Sequence, residues 1–380
     1  MLFTNRVLKL LPWRGRALRL QALLTLMLLA LLCGGVSACS SDAPRDPAQA
    51  LGGGGAGGAG GGSVAGGAGA GGLATGGSSS TLKTRVVVYL PSYRGSLATW
   101  ATRLDFTKVT HVDLSFATIA ADGTLAYPDA SLASFVSAAH AAGVRVSVVI
   151  GGSDTIANGL GAATEALIAP AGRGAFIQKI SSYLDSNALD GIDIDFEGSK
   201  AVNADYEGFV TALATELRGK GKLTTAALAR WFEGSVSTAA LQAFDFVNVM
   251  VYYQSDPDNS LSPVPADALA DDQAALDFWV GRGLSKDKAV FGVPFYGYFW
   301  KNAGSALPMQ LSYADILAKY GAAAKNDVIN SGTDALLLNG PLTIAAKAKL
   351  SEQYGGIMAW EVGQDSVGEG SLLNAISQGL

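Results

Sequence analysis

Residues 190–197 read Asp190-Gly191-Ile192-Asp193-Ile194-Asp195-Phe196-Glu197, acids alternating with bulky apolar side chains. This is the period of a β-strand, in which successive side chains point to opposite faces. Asp193, Asp195 and Glu197 therefore share one face, and Ile192, Ile194 and Phe196 share the other. At a rise of about 3.3 Å per residue, neighbouring carboxyls on the acidic face stand only about 7 Å apart. Like charges that close resist full ionisation, so protons are shared and at least one acid is held above the usual carboxylate range. Such a cluster works against the stability of its own strand, and acid catalysis is the usual reason for one. Asp190 has the opposite parity and is read as structural.

Two plainer readings fit less well. The string also resembles the start of a calcium loop, but the bidentate acid such a loop needs at its twelfth position would be Ala204, and Ile and Phe do not belong between its ligands. A merely solvated edge strand would not carry Ile, Ile and Phe on its other face.

The strand needs a scaffold, and the chain supplies one. From residue 84 to 380 there are roughly 300 residues, enough for one large α/β domain. Short β-rich apolar runs recur at 86–90, 109–117, 144–150, 191–196, 223–228, 244–252, 290–296 and 356–360. Stretches of helical period lie between them, at 131–142, 175–184, 206–217, 266–280, 313–320 and 342–354. Eight strands alternating with helices predict a closed (β/α)8 TIM barrel; a doubly wound open sheet is the runner-up, with the same periodicity. In a barrel the acidic strand is the fourth, and Glu197 lies at its carboxyl-terminal tip, the end where barrel active sites are built.

The amino-terminal part reads differently. Arg6, Lys9, Arg14, Arg16 and Arg19 precede an apolar run at 20–33 and then Val36-Ser37-Ala38-Cys39. A basic segment, a short apolar one and small residues before a cut make residues 1–38 a secretory signal. The run falls short of the roughly 20 apolar residues a membrane span needs. Val36 to Cys39 resembles the bacterial lipobox, which implies lipidation of Cys39 and anchoring to the envelope. Ser40 is not the acidic residue that retains some lipoproteins at the inner membrane, so the outer membrane or cell surface is the expected location. Residues 39–83, rich in Gly, Ala and Ser, read as a flexible tether.

Without the leader's five basic and no acidic residues, the formal charge goes from −5 to −10. An acidic chain without a basic patch is a poor partner for nucleic acid. Both cysteines lie within the first 39 residues, and His111 and His140 are the only histidines. Disulfides, zinc sites and histidine-based triads are therefore not expected, and neither is a cofactor or metal.

The octet resembles, in full, the D-x-x-D-x-D-x-E signature of the family 18 glycoside hydrolases, the chitinase-like family. Further similarities run in order through 84–380: Tyr89-Leu90-Pro91-Ser92-Tyr93 at the first strand, 110–117 at the second and 244–252 at the sixth. Val293-Pro294-Phe295-Tyr296-Gly297 is similar to the seventh, and Met358-Ala359-Trp360 to the eighth. The resemblance implies a retaining, substrate-assisted glycosidase acting as a monomer on β-1,4-linked N-acetylglucosamine polymers. Glu197 would be the general acid and base, Asp195 would orient the substrate's acetamide, and Asp193 would share a proton with Asp195. Tyr252 would donate to the acetamide oxygen, and Trp360 would form the floor of the sugar site. Tyr89, Tyr296, Trp231, Phe116 and Met250 are candidate substrate contacts, with Tyr93 and Trp300 as further aromatic candidates; aromatic rings suit the apolar faces of pyranoses, although most buried aromatics are core.

Two departures from the family pattern stand out. Val149 occupies the place of the serine in Ser-x-Gly-Gly on the third strand, leaving Tyr89 as the partner to expect for Asp193. Tyr253 replaces the aspartate that usually follows the sixth-strand tyrosine. After the seventh strand only 300–310 is expected before the next helix, so no large inserted domain, an open groove and internal cleavage of a polymer are expected. An endo-β-N-acetylglucosaminidase acting on N-glycans and a non-catalytic chitin-binding lectin are the alternatives on the same scaffold.

Overall fold

The computed structural model describes residues 84–152, 160–197, 204–229, 236–253, 269–302 and 308–380. The leader, Cys39, the tether and Trp231 lie outside the described residues. The first half alternates β1 (Val86–Pro91), α1 (Leu97–Arg103), β2 (His111–Ile119), β3 (Leu125–Ala126), α2 (Leu132–Ala141), β4 (Arg145–Gly152), α3 (Leu160–Ile168) and α4 (Arg173–Ser186). Next come β5 (Gly191–Phe196), α5 (Tyr206–Gly219), β6 (Leu223–Leu228), α6 (Thr238–Ala243), β7 (Phe246–Val249), α7 (Leu269–Gly281) and β8 (Ala289–Pro294). The last part holds β9 (Tyr296–Trp300), β10 (Met309–Ser312), α8 (Tyr313–Tyr320), β11 (Val328–Ser331), β12 (Asp334–Leu338), α9 (Pro341–Ser351), β13 (Gly356–Trp360) and α10 (Leu372–Gly379).

Eight strands pair in parallel in the order β1, β2, β4, β5, β6, β7, β8, β13, and β13 pairs back onto β1. Closure removes both free edges, so the structure is the (β/α)8 barrel and not the open sheet. β5, β6 and β13 have the bounds that the apolar runs predict.

The strand that carries the acids is fixed from outside. Ile192, Ile194 and Phe196 are buried on its outer face. On α5 the buried residues Tyr206, Phe209, Val210, Leu213 and Leu217 form one helical stripe. Phe196 lies nearly parallel to Phe209, with ring centroids 6.4 Å apart, and Phe209 stacks in turn on Phe176 of α4 at 5.6 Å. Asp190, before the strand, accepts from the Val146 amide and pairs with His140 Nε2, each at 2.7 Å. Its structural reading holds.

The other strand bounds differ from the sequence reading, most of all at the sixth and seventh barrel strands. The sixth barrel strand ends at Val249; Met250 N still reaches Leu228 O at 2.9 Å, but Val251–Tyr253 then form a 3-10 turn. The seventh ends at Pro294, which has no N–H to extend a ladder, and the chain resumes at Tyr296 in another sheet. That sheet is the main correction. Residues 300–310 are not a plain connector to a helix, because β9, β10, β11 and β12 form a four-stranded antiparallel sheet in the order β10-β9-β12-β11. It is a small excursion and not a large domain, but it stands where an open side was expected, so internal cleavage does not follow from the connector. Strands of four or five residues with little alternation gave no periodic signal.

Between β4 and β5 the fit is tightest at Gly151. Its φ is +113°, and a Cβ there would lie 2.0 Å from the carbonyl oxygen of Asp195. Gly151→Ala is therefore expected to lower the unfolding free energy by more than about 2 kcal/mol. Equilibrium urea denaturation of the two proteins measures this, and matching curves would mean that the two strands separate freely at that point.

Candidate active site

Strand register determines which side chains meet inside the barrel. Asp193 is level with Val149 of β4 and Thr225 of β6, and Asp195 is level with Gly151. Both acids are buried, whereas Glu197, just past the strand end, is partly exposed. The three carboxyls thus run from the closed interior to the barrel mouth.

The deepest acid is the best held. Tyr89 donates its hydroxyl proton to Asp193 Oδ2 at 2.7 Å, and Thr225 Oγ1 donates to Oδ1 at 2.5 Å. Asn248 Nδ2 lies 3.4 Å from Oδ1 and 3.0 Å from Tyr89 Oη. The missing serine at Val149 is thus replaced by a hydroxyl from the opposite neighbour, β6. Burial raises the Asp193 pKa to about 6, against the opposing pull of Thr225, Tyr89 and Asn248. Burial, then Glu197, then Asp193 push Asp195 well above the ordinary carboxylate range. Asp195 Oδ1 is buried with no hydrogen-bond partner among the described residues.

Aromatic rings gather at the mouth. Trp360, at the end of β13, packs edge-on against Tyr89 at 5.4 Å and lies 6.1 Å from Phe116 of β2. Phe116 has room because Gly152 has no Cβ; one there would stand 3.0 Å from the ring. The chain after Trp360 is clamped by Glu361, which accepts from Arg94 Nε at 2.6 Å and from the Gly363 amide at 2.7 Å. Tyr252 is buried in the turn after β7, with the Tyr296 ring 6.4 Å away and edge-on. Gly292 leaves space for the Tyr252 ring, since a Cβ there would lie 2.9 Å from it.

The structure thus brings Asp193, Asp195, Glu197, Tyr89, Phe116 and Trp360 together, with Tyr252, Met250 and Tyr296 along the β7–β8 side. Tyr89 is engaged with Asp193, and its ring backs Trp360. Trp300 is buried within the small sheet beside Tyr298, while Tyr93 is 64 % exposed with the Arg94 guanidinium over its ring. Thr225, Asn248 and Asp113 belong to the site and were missed. Each is a polar residue in a strand rich in apolar ones, and Asn248 is the single polar residue of its strand, the signal that would have found them.

Among the described residues, no group of three or more His, Cys, Asp or Glu is arranged to hold a metal ion, and no helix is long and apolar enough to cross a membrane.

The family model for glycosyl hydrolases family 18 matches residues 85–365. An endochitinase of Brugia malayi is 27 % identical over 263 residues, covering 54 % of this chain and 52 % of that protein. The chain thus spans about half the length of that relative. A crystal structure of a family 18 chitinase from the chitin utilization locus of Flavobacterium johnsoniae is 32 % identical with a TM-score of 0.69, covering 78 % of this chain and 94 % of that one. A chitinase from Bacteroides thetaiotaomicron is 28 % identical with a TM-score of 0.63, covering 78 % and 96 %.

The burial of Asp193 has a pH signature. Its pKa is raised when folded, so between about pH 4 and 6 the native state keeps a proton that the unfolded chain releases, and stability falls as pH rises through that window. Relative to Asp193→Asn, the wild type is expected to lose on the order of 3 kcal/mol from pH 4 to 7. Denaturant titrations at stepped pH test this; the difference cancels other acids of the same sign, such as Asp365. Parallel stability curves would show that Asp193 ionises normally.

Proposed function

Since the chain belongs to glycosyl hydrolase family 18, we propose that it cleaves β-1,4-linked N-acetylglucosamine polymers, chitin or its oligosaccharides, with retention of configuration. The observation that carries this reading is the graded acid column: Asp193 tightly held, Asp195 buried with an oxygen that has no partner among the described residues, Glu197 at the mouth. The chitinases it resembles support the choice of substrate.

Each residue has a step. Glu197 gives its proton to the glycosidic oxygen as the bond to the anomeric carbon breaks. The substrate's 2-acetamido oxygen forms a new bond to that carbon, giving an oxazolinium-type intermediate. Asp195 accepts from the acetamide N–H and offsets the developing positive charge, electrostatic help that is strong because the group is dry and already placed. Asp193, one step deeper, accepts from Asp195. Tyr252 steadies the acetamide oxygen with its hydroxyl. Glu197, now ionised, takes a proton from the water that opens the intermediate. Trp360 is the floor under the reacting sugar, and exposed Tyr93 is a platform further along the chain.

Two experiments test this reading. The wild type is expected to cleave chito-oligosaccharides, with mass spectrometry following the products; release of glycans from a high-mannose glycoprotein without chitin cleavage would move the substrate to N-glycans. Glu197→Gln is expected to lower kcat about 100- to 10,000-fold while sugar binding persists. Binding with no wild-type turnover on either substrate would make the protein a lectin.

Lipidation at Cys39 completes the proposal: the chain is exported and held at the envelope, with the Gly-rich stretch letting the barrel reach an insoluble polymer. Two acyl chains anchor stably where one does so only marginally. Palmitate-analogue labelling of wild type is expected, with none in Cys39→Ala; equal labelling would reject the lipobox.

A further inference from the structure

One buried acid has no part in these steps. Asp113 points inward from the middle of β2, level with Tyr89 on β1 and Ser147 on β4, and is fully buried. Asn248 Nδ2 donates to Asp113 Oδ2 at 3.2 Å, and the same nitrogen faces Tyr89 Oη and Asp193 Oδ1. Asp113, Asp193 and Asn248 come from the second, fourth and sixth barrel strands, the alternation by which one interior layer is filled. Branched apolar residues usually occupy such a layer. Here it is polar and directly beneath the column.

The two carboxyls in this layer are solvated unequally. Asp193 receives two hydroxyl protons in addition to the amide, and such donors favour the ionised form. Among the described residues Asp113 has the one amide contact, and its Oδ1 is buried without a partner. Ser147 Oγ, level with it, is also buried without a hydrogen bond among the described residues. A proton on Asp113 Oδ1 turned towards Ser147 supplies both.

The surroundings provide no counter-charge. Burial and the Asp193 charge push Asp113 well above the ordinary carboxylate range, and the pull that opposes this comes from neutral side chains, the Asn248 amide first. His111, on the same inward face of β2, is pulled down to about 3 by burial and by Arg85 and Arg145. From β1 the facing titratable group is Tyr89, whose phenol is raised and stays neutral.

We propose that Asp113 is a positioning residue: a neutral carboxylic acid that holds Asn248 against Tyr89 and Asp193, and so leaves Asp193 as the single charged acceptor at the closed end of the column. Were Asp113 ionised, repulsion would return a proton to Asp193, which could then no longer accept from Asp195.

The kinetic part of this inference rests on the glycosidase reading, but the protonation part does not. Infrared difference spectra of wild type against Asp113→Asn at neutral pH are expected to lose the C=O stretch of a protonated carboxylic acid. Loss of carboxylate bands instead would overturn the proposal even if wild type cleaves nothing. In an active enzyme, Asp113→Asn is expected to keep kcat within about threefold. Asp113→Leu, which removes the acceptor that holds Asn248 in place, is expected to lower kcat about tenfold or more with KM within about twofold. A Leu variant with wild-type kcat, or an Asn variant as impaired as the Leu one, would reject the positioning role. If the Leu variant does not fold, the infrared result and the Asn kinetics decide alone.

Discussion

Keeping several carboxyl groups dry inside one barrel is the constraint on which the site depends. Removing an ionised carboxylate from water costs several kcal/mol even after relaxation, and three side by side repel one another as well. Within the described barrel the compensation is local and made of fixed donors. Tyr89, Thr225 and Asn248 converge on Asp193 from three strands, so one acid can hold charge while Asp195 and Asp113 are pushed towards their neutral forms. A barrel suits this because its strands converge around one axis, and donors on β1, β6 and β7 reach a single acid on β5 without leaving their ladders.

The same gradient underlies the function proposed for the site. At the closed end, hydrogen bonds are short and numerous and the acid is immobile. One pair of residues higher, Asp195 has an oxygen with no partner among the described residues. At the mouth, Glu197 is partly exposed. Movement of a proton along such a column needs no large conformational change, because the local environment differs from one acid to the next while the backbone stays fixed by Phe196 stacking on Phe209 outside the barrel. The outer face of β5 holds the strand still, and the inner face carries the chemistry.

The fold was largely legible because its signal is repetitive. Eight apolar β runs recur with six stretches of helical period between them, and Gly191–Phe196, Leu223–Leu228 and Gly356–Trp360 could be bounded to the residue. The small sheet of β9 to β12 was not legible, since its short strands lack alternation and two of its members present exposed side chains such as Met309 and Val328. The acid column was legible because three acids at spacing two in an apolar strand repel one another at a cost that only chemistry repays. Its supporting donors were not, because Thr225 and Asn248 act through register, and register between strands far apart in sequence is set by closure of the barrel and not by local composition.

Val149 shows how this limits reading a site by pattern. Judged by its position in the motif, the missing hydroxyl leaves Asp193 short of a donor. In the barrel the loss on β4 is met from β6, where Thr225 stands level with the same acid on its other side. A buried carboxylate needs a set number of donors, and the side they come from is immaterial, so support can pass between neighbouring strands while the acid stays in place. The motif specifies the part that must face the substrate. The donors that offset the burial of that part, Tyr89, Thr225 and Asn248, are specified by the geometry of the closed sheet.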